Sequence, residues 1–388
     1  MLDYLSQIQQ SYSVAFADYI RQLELMGQHI IKMQTGEPDF NTHASIVKAA
    51  KNALDNSETR YCESRGLPVL RKAIVEKLLK VNNIQTKPET ILITHGAVHA
   101  IGMAIWAIVN PGDECIIIEP YWRSYEANVV LAGGKPVIVK TSPDNGFQLQ
   151  AEAVQRKFTD RTKLIIINTP NNPSGAVYKK SELVKLAKSA IQKNILIISD
   201  EVYESILFDE KKHYSLASDP TVAEQIVSVF SFSKTHAMTG WRMGYLNANQ
   251  KIINEILKLS QFSVTSLSPY NQLAALEALT HPEAKAYSES MRVEYEQRRN
   301  FIREKIKGTW LQKAAAIPEG TFYVLIDTSR FGKSSLDLAK EIVDFSNVSF
   351  TPGIAFGDSM DGFLRLCFAT SLENINTAVD ALIQFEKK

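Results

Sequence analysis

Short apolar runs near Ile91, Cys115, Val137, Leu164, Ile195 and Val227 punctuate this chain, and amphipathic helical stretches separate them. Parallel βαβ units require that alternation, because strands buried on both faces need helices to carry the chain back across the sheet. The chain therefore reads as α/β. Two of the runs end informatively. Leu164-Ile165-Ile166-Ile167 stops at Asn168 and the turn Thr169-Pro170-Asn171-Asn172-Pro173-Ser174-Gly175, and Ile195-Leu196-Ile197-Ile198 stops at Ser199-Asp200-Glu201-Val202-Tyr203. Ligands of open α/β sheets bind at such carboxyl ends, so a carboxylate and a phenol stand where chemistry is expected. A further strand is expected over 241–246. The polar stretch 282–307 reads as one long helix joining two domains, and 320–326, 348–350 and 363–368 are strand-like.

After the Val227 run comes Ser231-Phe232-Ser233-Lys234-Thr235-His236-Ala237-Met238-Thr239-Gly240-Trp241-Arg242. An amine attacks a carbonyl only when deprotonated, so a lysine used that way needs a lowered pKa. The hydroxyl of Ser231 and the guanidinium of Arg242 are groups that take a phosphate. The spacing fits a phosphorylated aldehyde, pyridoxal 5'-phosphate, with Lys234 as its Schiff-base lysine. A carboxylate opposite the ring nitrogen of that cofactor keeps the nitrogen protonated and makes the ring an electron acceptor. Asp200 is the candidate.

At 388 residues the chain exceeds one typical domain, and 45% apolar content suffices for a substantial core. Its net charge is +1 with Lys and Arg spread throughout, whereas a nucleic-acid footprint concentrates its basic side chains. The cysteines, Cys62, Cys115 and Cys367, are odd in number and far apart, which disfavours a disulfide framework and fits a reducing compartment. Residues 1–7 show no basic region followed by an apolar run, so no signal peptide is expected. The apolar stretch 100–109 is too short to span a membrane and reads as a buried helix. His95 and His99 have the spacing of a metal pair, but no carboxylate or cysteine completes a site, and no metal is expected. His236 reads as a packing residue.

These segments join Thr35-Gly36-Glu37-Pro38-Asp39-Phe40, Tyr61 with Gly66-Leu67-Pro68, Thr94-His95-Gly96-Ala97, Pro111-Gly112-Asp113-Glu114, Pro120-Tyr121-Trp122 and Phe363-Leu364-Arg365-Leu366-Cys367-Phe368-Ala369-Thr370. In that order along nearly the whole chain, the set resembles the class I and II aminotransferases, fold type I pyridoxal-phosphate enzymes, in their bacterial aspartate-aminotransferase-like branch. The resemblance implies a large domain with a mostly parallel seven-stranded sheet flanked by helices, plus a smaller α+β domain. Residues 1–45 would form an N-terminal segment of the small domain, 46–285 the cofactor-binding large domain and 286–388 the small C-terminal domain.

The resemblance further implies that Lys234 holds the cofactor and later shuttles a proton, while Asp200 partners the ring nitrogen. Tyr203 and Asn172 would hydrogen-bond the phenolic oxygen of the cofactor, and Trp122 would stack on its ring. Ser231, Arg242 and the backbone amides of Gly96, Ala97 and Val98 would bind its phosphate, the amides at a helix N-terminus. Arg365 would take the substrate α-carboxylate as a bidentate pair, helped by the backbone of Gly36 and the side chain of Asn172. Tyr61 would reach the phosphate held by the neighbouring subunit of a homodimer with shared sites. The bonds Glu119-Pro120 and Asn172-Pro173 would be cis.

The implied activity moves the amino group of an L-amino acid to a 2-oxo acid, in the cytoplasm, with no nucleic-acid or membrane partner. A β-lyase, a decarboxylase or an amino-acid oxidase is the alternative, because the fold does not fix the reaction. A cofactor-sensing regulator would need a DNA-binding module, for which the residues before Gly36 leave no room. One departure concerns specificity. At Val98, similar enzymes can carry a lysine that pairs with a second substrate carboxylate, so an acidic donor here needs another cation. In Cys62-Glu63-Ser64-Arg65, Arg65 is one candidate, and Glu63 would instead select a basic or polar side chain; a Glu63–Arg65 pair facing solvent would do neither.

Overall fold

The computed structural model describes Ser6, Ile8 and residues 10–388. The rest of the stretch in which no signal peptide is read lies outside the described residues.

A seven-stranded sheet runs in the order Ile91–Thr94, Gly244–Asn247, Ile226–Ser231, Leu196–Asp200, Thr162–Asn168, Glu114–Glu119, Lys135–Lys140. The strand Gly244–Asn247 is antiparallel to both neighbours, and the remaining pairs are parallel. Central positions such as Ile165, Ile197, Ile198 and Val227 are fully buried, which is why these strands read as unbroken apolar runs instead of alternating ones. The edge strand Lys135–Lys140 exposes a lysine at each end, a charge pattern that discourages further pairing.

Register decides where the chemistry collects. Asn168 lies opposite Asp200, and Gly244 lies opposite both Ser231 and Thr94. The carboxyl ends of four strands thus share one edge, and helix Gly96–Ile108 starts there, directly after Thr94.

The smaller unit is built on an antiparallel sheet in which Tyr323–Asp327 lies between Phe363–Cys367 and Ala315–Ala316, with Thr351–Pro352 beyond Phe363–Cys367. Ile31–Lys32 pairs in parallel with Val348–Ser349. Phe16 and Ile20 from helix Tyr12–Leu25 share its core with Leu338, Ile342, Val379 and Leu382. The polar stretch forms helix Pro282–Lys305, started by a proline whose missing N–H is no loss in the first turn. Arg298 on that helix pairs with Asp39 at 2.8 Å, and the buried Arg299 grips Asp209 through two nitrogens at 2.7 Å each. The helix is thereby fixed to the N-terminal segment and to the loop after Asp200.

The strand expected over 241–246 starts later, at Gly244. The bonds Glu119-Pro120 and Asn172-Pro173 are cis, and so is Thr169-Pro170. Among the described residues no helix is long and apolar enough to cross a membrane.

Candidate active site

A cleft of about 560 Å³ lies between the sheet edge and the segment Gln34–Glu37 plus Arg365. Lys234 reaches it from the short helix Phe232–Thr235, whose start is capped where Ser231 Oγ accepts from the Ser233 amide at 3.1 Å. Its Nζ donates to the Gly36 carbonyl at 2.6 Å. Burial lowers this lysine to about 8, with Arg365 and Arg242 pushing the same way. Roughly one amine in ten is then neutral at pH 7, against a few in ten thousand for an ordinary lysine.

Asp200 is 3% exposed. Its Oδ2 accepts from the Tyr125 hydroxyl at 2.5 Å and its Oδ1 from the Val202 amide at 3.2 Å. Burial nevertheless raises it to about 6, because those bonds only partly offset desolvation of the charge. Asn168 ties down the same strand end, its amide group donating to the Asp200 carbonyl at 3.1 Å while its Oδ1 accepts from the Asn172 amide at 2.8 Å.

Arg365 is 6% exposed and far from being a solvated strand residue. Its Nη1 donates to Asn172 Oδ1 at 3.0 Å, and Nη2 to the Gln34 carbonyl at 2.9 Å and to Thr351 Oγ1 at 3.1 Å. The guanidinium lies 4.1 Å from the centre of the Tyr323 ring and 4.9 Å from that of Phe356, and its Nε is buried without a partner. A buried N–H left unpaired is costly unless a ligand acceptor completes it. The Tyr323 hydroxyl meets that of Tyr203 at 2.9 Å, and burial holds the Tyr203 phenol well above its ordinary pKa.

At the other end, Gly96 has φ +74°, and a Cβ there would lie 2.9 Å from Arg242 Nη2; a Cβ on Gly244 would lie 2.7 Å from the Gly96 carbonyl carbon. Two glycines thus bring the guanidinium and the opening amides of helix Gly96–Ile108 together beside Ser231. This cradle combines helix-start donors with a cation and fits a phosphate. Trp122 lines the same cleft, edge-on to Tyr125 with ring centres 5.8 Å apart. Every site residue implied by the resemblance lines the cleft except Gly96, which sits against Arg242 in the cradle, and Tyr61, which stands 87% exposed on the surface of the chain.

Tyr125, Tyr323, Asn168 and Gln34 also belong to the site and were not foreseen. Tyr125 carried a signal, three residues after Trp122. Gln34 acts through its carbonyl, which no side-chain pattern reveals.

Other groups resolve differently. His99 Nδ1 accepts from the His95 amide at 3.3 Å, and burial lowers His99 to about 4. His236 packs, its Nδ1 meeting Ser288 Oγ at 3.0 Å. Glu63 and Arg65 do not pair with each other: Glu63 accepts from Arg71 at 2.6 Å, and Arg65 donates to the Glu89 carbonyl at 2.8 Å. Behind Asp200, Glu201, Glu204 and His213 bring donor atoms within 4.8 Å of one another. Lys77 and Asn82 occupy both Glu204 oxygens, however, and His213 and Ser215 share one oxygen of Glu201.

Residues 28–382 match the family model for aminotransferase class I and II. The chain is 37% identical over 383 residues to an aspartate aminotransferase of Bacillus sp. (strain YM-2), covering 97% of this chain and 96% of that protein. It is 37% identical to aromatic-amino-acid aminotransferase 2 of Thermococcus litoralis, covering 91% and 90%. The solved structure of Thermus thermophilus aspartate aminotransferase with maleate superposes with a TM-score of 0.94 at 36% identity over 99% of both chains. The chain therefore belongs to the class I and II aminotransferases, fold type I enzymes that use pyridoxal 5'-phosphate to move an amino group between an amino acid and a 2-oxo acid.

Proposed function

We propose that transamination in this cleft rests on Lys234 as the cofactor-holding lysine and proton carrier, Asp200 as the ring-nitrogen partner and Arg365 as the α-carboxylate anchor. One observation carries the reading: a half-buried amine, a buried carboxylate and a buried guanidinium with an unpaired N–H converge on the same cleft. Ser231, Arg242 and the amides of Gly96, Ala97 and Val98 hold the phosphate, Trp122 covers the ring, and Tyr203 with Asn172 takes its phenolic oxygen. Arg365 and Asn172 orient the substrate by its α-carboxylate, with the Gly36 backbone beside them. Lys234 Nζ, neutral in a useful fraction near pH 7, removes the α-proton and later returns it. Pyridoxal phosphate, when bound, supplies the acceptor for the electron pair left at the α-carbon. The residues form a large domain over 46–285, flanked by the segment 1–45 and a small domain over 286–388. The protein works as a cytoplasmic homodimer.

The test is cofactor capture by the cofactor-free chain, followed by borohydride and peptide mapping. The protein is expected to turn yellow as it takes up the cofactor, to lose that colour on reduction, and then to carry the reduced cofactor on Lys234. Because burial lowers the folded lysine, its reactive neutral form accumulates as pH rises and saturates just above about 8, so the capture rate should level off there. A rate still climbing toward the ordinary lysine value of 10.5 would assign capture to another lysine.

Arg365→Lys is expected to weaken every α-amino acid donor alike, by roughly tenfold or more, since a point charge replaces a planar fork. Steady-state KM values across donors check this, and a loss confined to acidic donors would move Arg365 to the side-chain pocket. For the shared site, mixing inactive Lys234→Ala and impaired Tyr61→Phe chains should restore activity through hybrid dimers. No restoration, with subunit exchange verified by mass spectrometry, would place Tyr61 outside the site.

A further inference from the structure

Three cationic side chains of the cleft have roles in the proposed chemistry: Lys234, Arg242 and Arg365. A fourth lines the same cleft, Arg21 on helix Tyr12–Leu25. Phe16, Ile20 and Leu23 bury one face of that helix in the small-unit core. The opposite face turns Val14, Ala17, Asp18 and Arg21 to the cleft, at the i, i+3, i+4, i+7 spacing of a single helical stripe. Arg21 Nη1 bonds Asp18 Oδ1 at 2.8 Å, with side chains 70% and 50% exposed. An ion pair so exposed holds its partners weakly, so Arg21 is free to exchange Asp18 for another carboxylate while Asp18 turns to water. The other candidates are less able to do this. Val98 carries no charge, and Arg65 is committed to the Glu89 carbonyl.

We propose that Arg21 is a specificity-determining residue that binds the side-chain carboxylate of a dicarboxylic amino donor, the far end of a substrate whose α-carboxylate is on Arg365. This rests on the assignment of Arg365 above. Asp18 competes for the same guanidinium and sets how readily an acidic donor is taken over a neutral one.

The experiment uses the cofactor-loaded enzyme. kcat/KM is measured for aspartate and for alanine in wild type, Arg21→Ala, Arg21→Lys and Asp18→Asn, and succinate and butyrate binding is measured by calorimetry. Arg21→Ala should lower the aspartate-to-alanine ratio tenfold or more, chiefly through KM, and weaken succinate far more than butyrate. Arg21→Lys should keep part of both. Asp18→Asn should raise the ratio by removing the competitor. An unchanged ratio and unchanged succinate affinity in Arg21→Ala overturn the proposal while leaving transamination intact. Failure of the wild type to transaminate either amino acid would instead overturn the reading on which it rests.

Discussion

Lys234→Ala is expected to keep its affinity for pyridoxal phosphate within about tenfold yet lose turnover by roughly 10⁴-fold, the upper range for removing a positioned proton-transfer group. The two effects separate because different parts of the chain carry them. The cradle proposed for the phosphate is formed by Gly96, Arg242 and Ser231 and does not involve the lysine amine. The amine, by contrast, is the group of the cleft whose pKa burial brings down to about 8, so no neighbour can stand in for it. Stopped-flow absorbance with a single amino donor measures the first half-reaction directly. Wild-type rates in the variant would remove Lys234 from the chemistry.

Asp200→Asn should be nearly as severe, with kcat lower by roughly 10³-fold and the fold preserved. Asparagine has the same shape, so Tyr125 still finds an acceptor and the Asn168–Asp200 register is undisturbed. What vanishes is a negative charge in a site with little water, where an oriented charge acts far more strongly than at the surface. Burial holds Asp200 near 6 against the hydrogen bonds from Tyr125 and Val202, so the carboxylate gains most from a positive charge placed opposite it. Single-turnover rates at pH 8, where wild-type Asp200 is ionised, check the prediction. A loss below tenfold would reduce Asp200 to a structural residue.

The sheet was legible because its strands are buried on both faces and each ends in a polar residue or a turn. Asp200 could be read as a site candidate from that alone and Lys234 from the groups around it in sequence, whereas Asn172 came only from the family resemblance. The two-residue pairings Ile31–Lys32, Ala315–Ala316 and Thr351–Pro352 were not, since so short a strand shows no periodicity. Tyr323 escaped for another reason. Its strand was expected, but its hydroxyl meets Tyr203 only because the small sheet settles over the large one, a contact between residues 120 positions apart. The acceptor at Gln34 is a backbone carbonyl, present at every residue, and only the fold singles it out.

The pairing of Ile31 with Val348 closes a loop of more than three hundred residues, and Arg365 reaches back across 331 positions to the Gln34 carbonyl. Closing a flexible loop that long carries a chain-entropy penalty of about 5 kcal/mol beyond the constant term. During synthesis the seven-stranded sheet, whose last strand ends at Asn247, can assemble well before residue 365 leaves the ribosome. A nascent chain would therefore have its sheet edge in place before it has either the carboxylate anchor or the full burial that lowers Lys234.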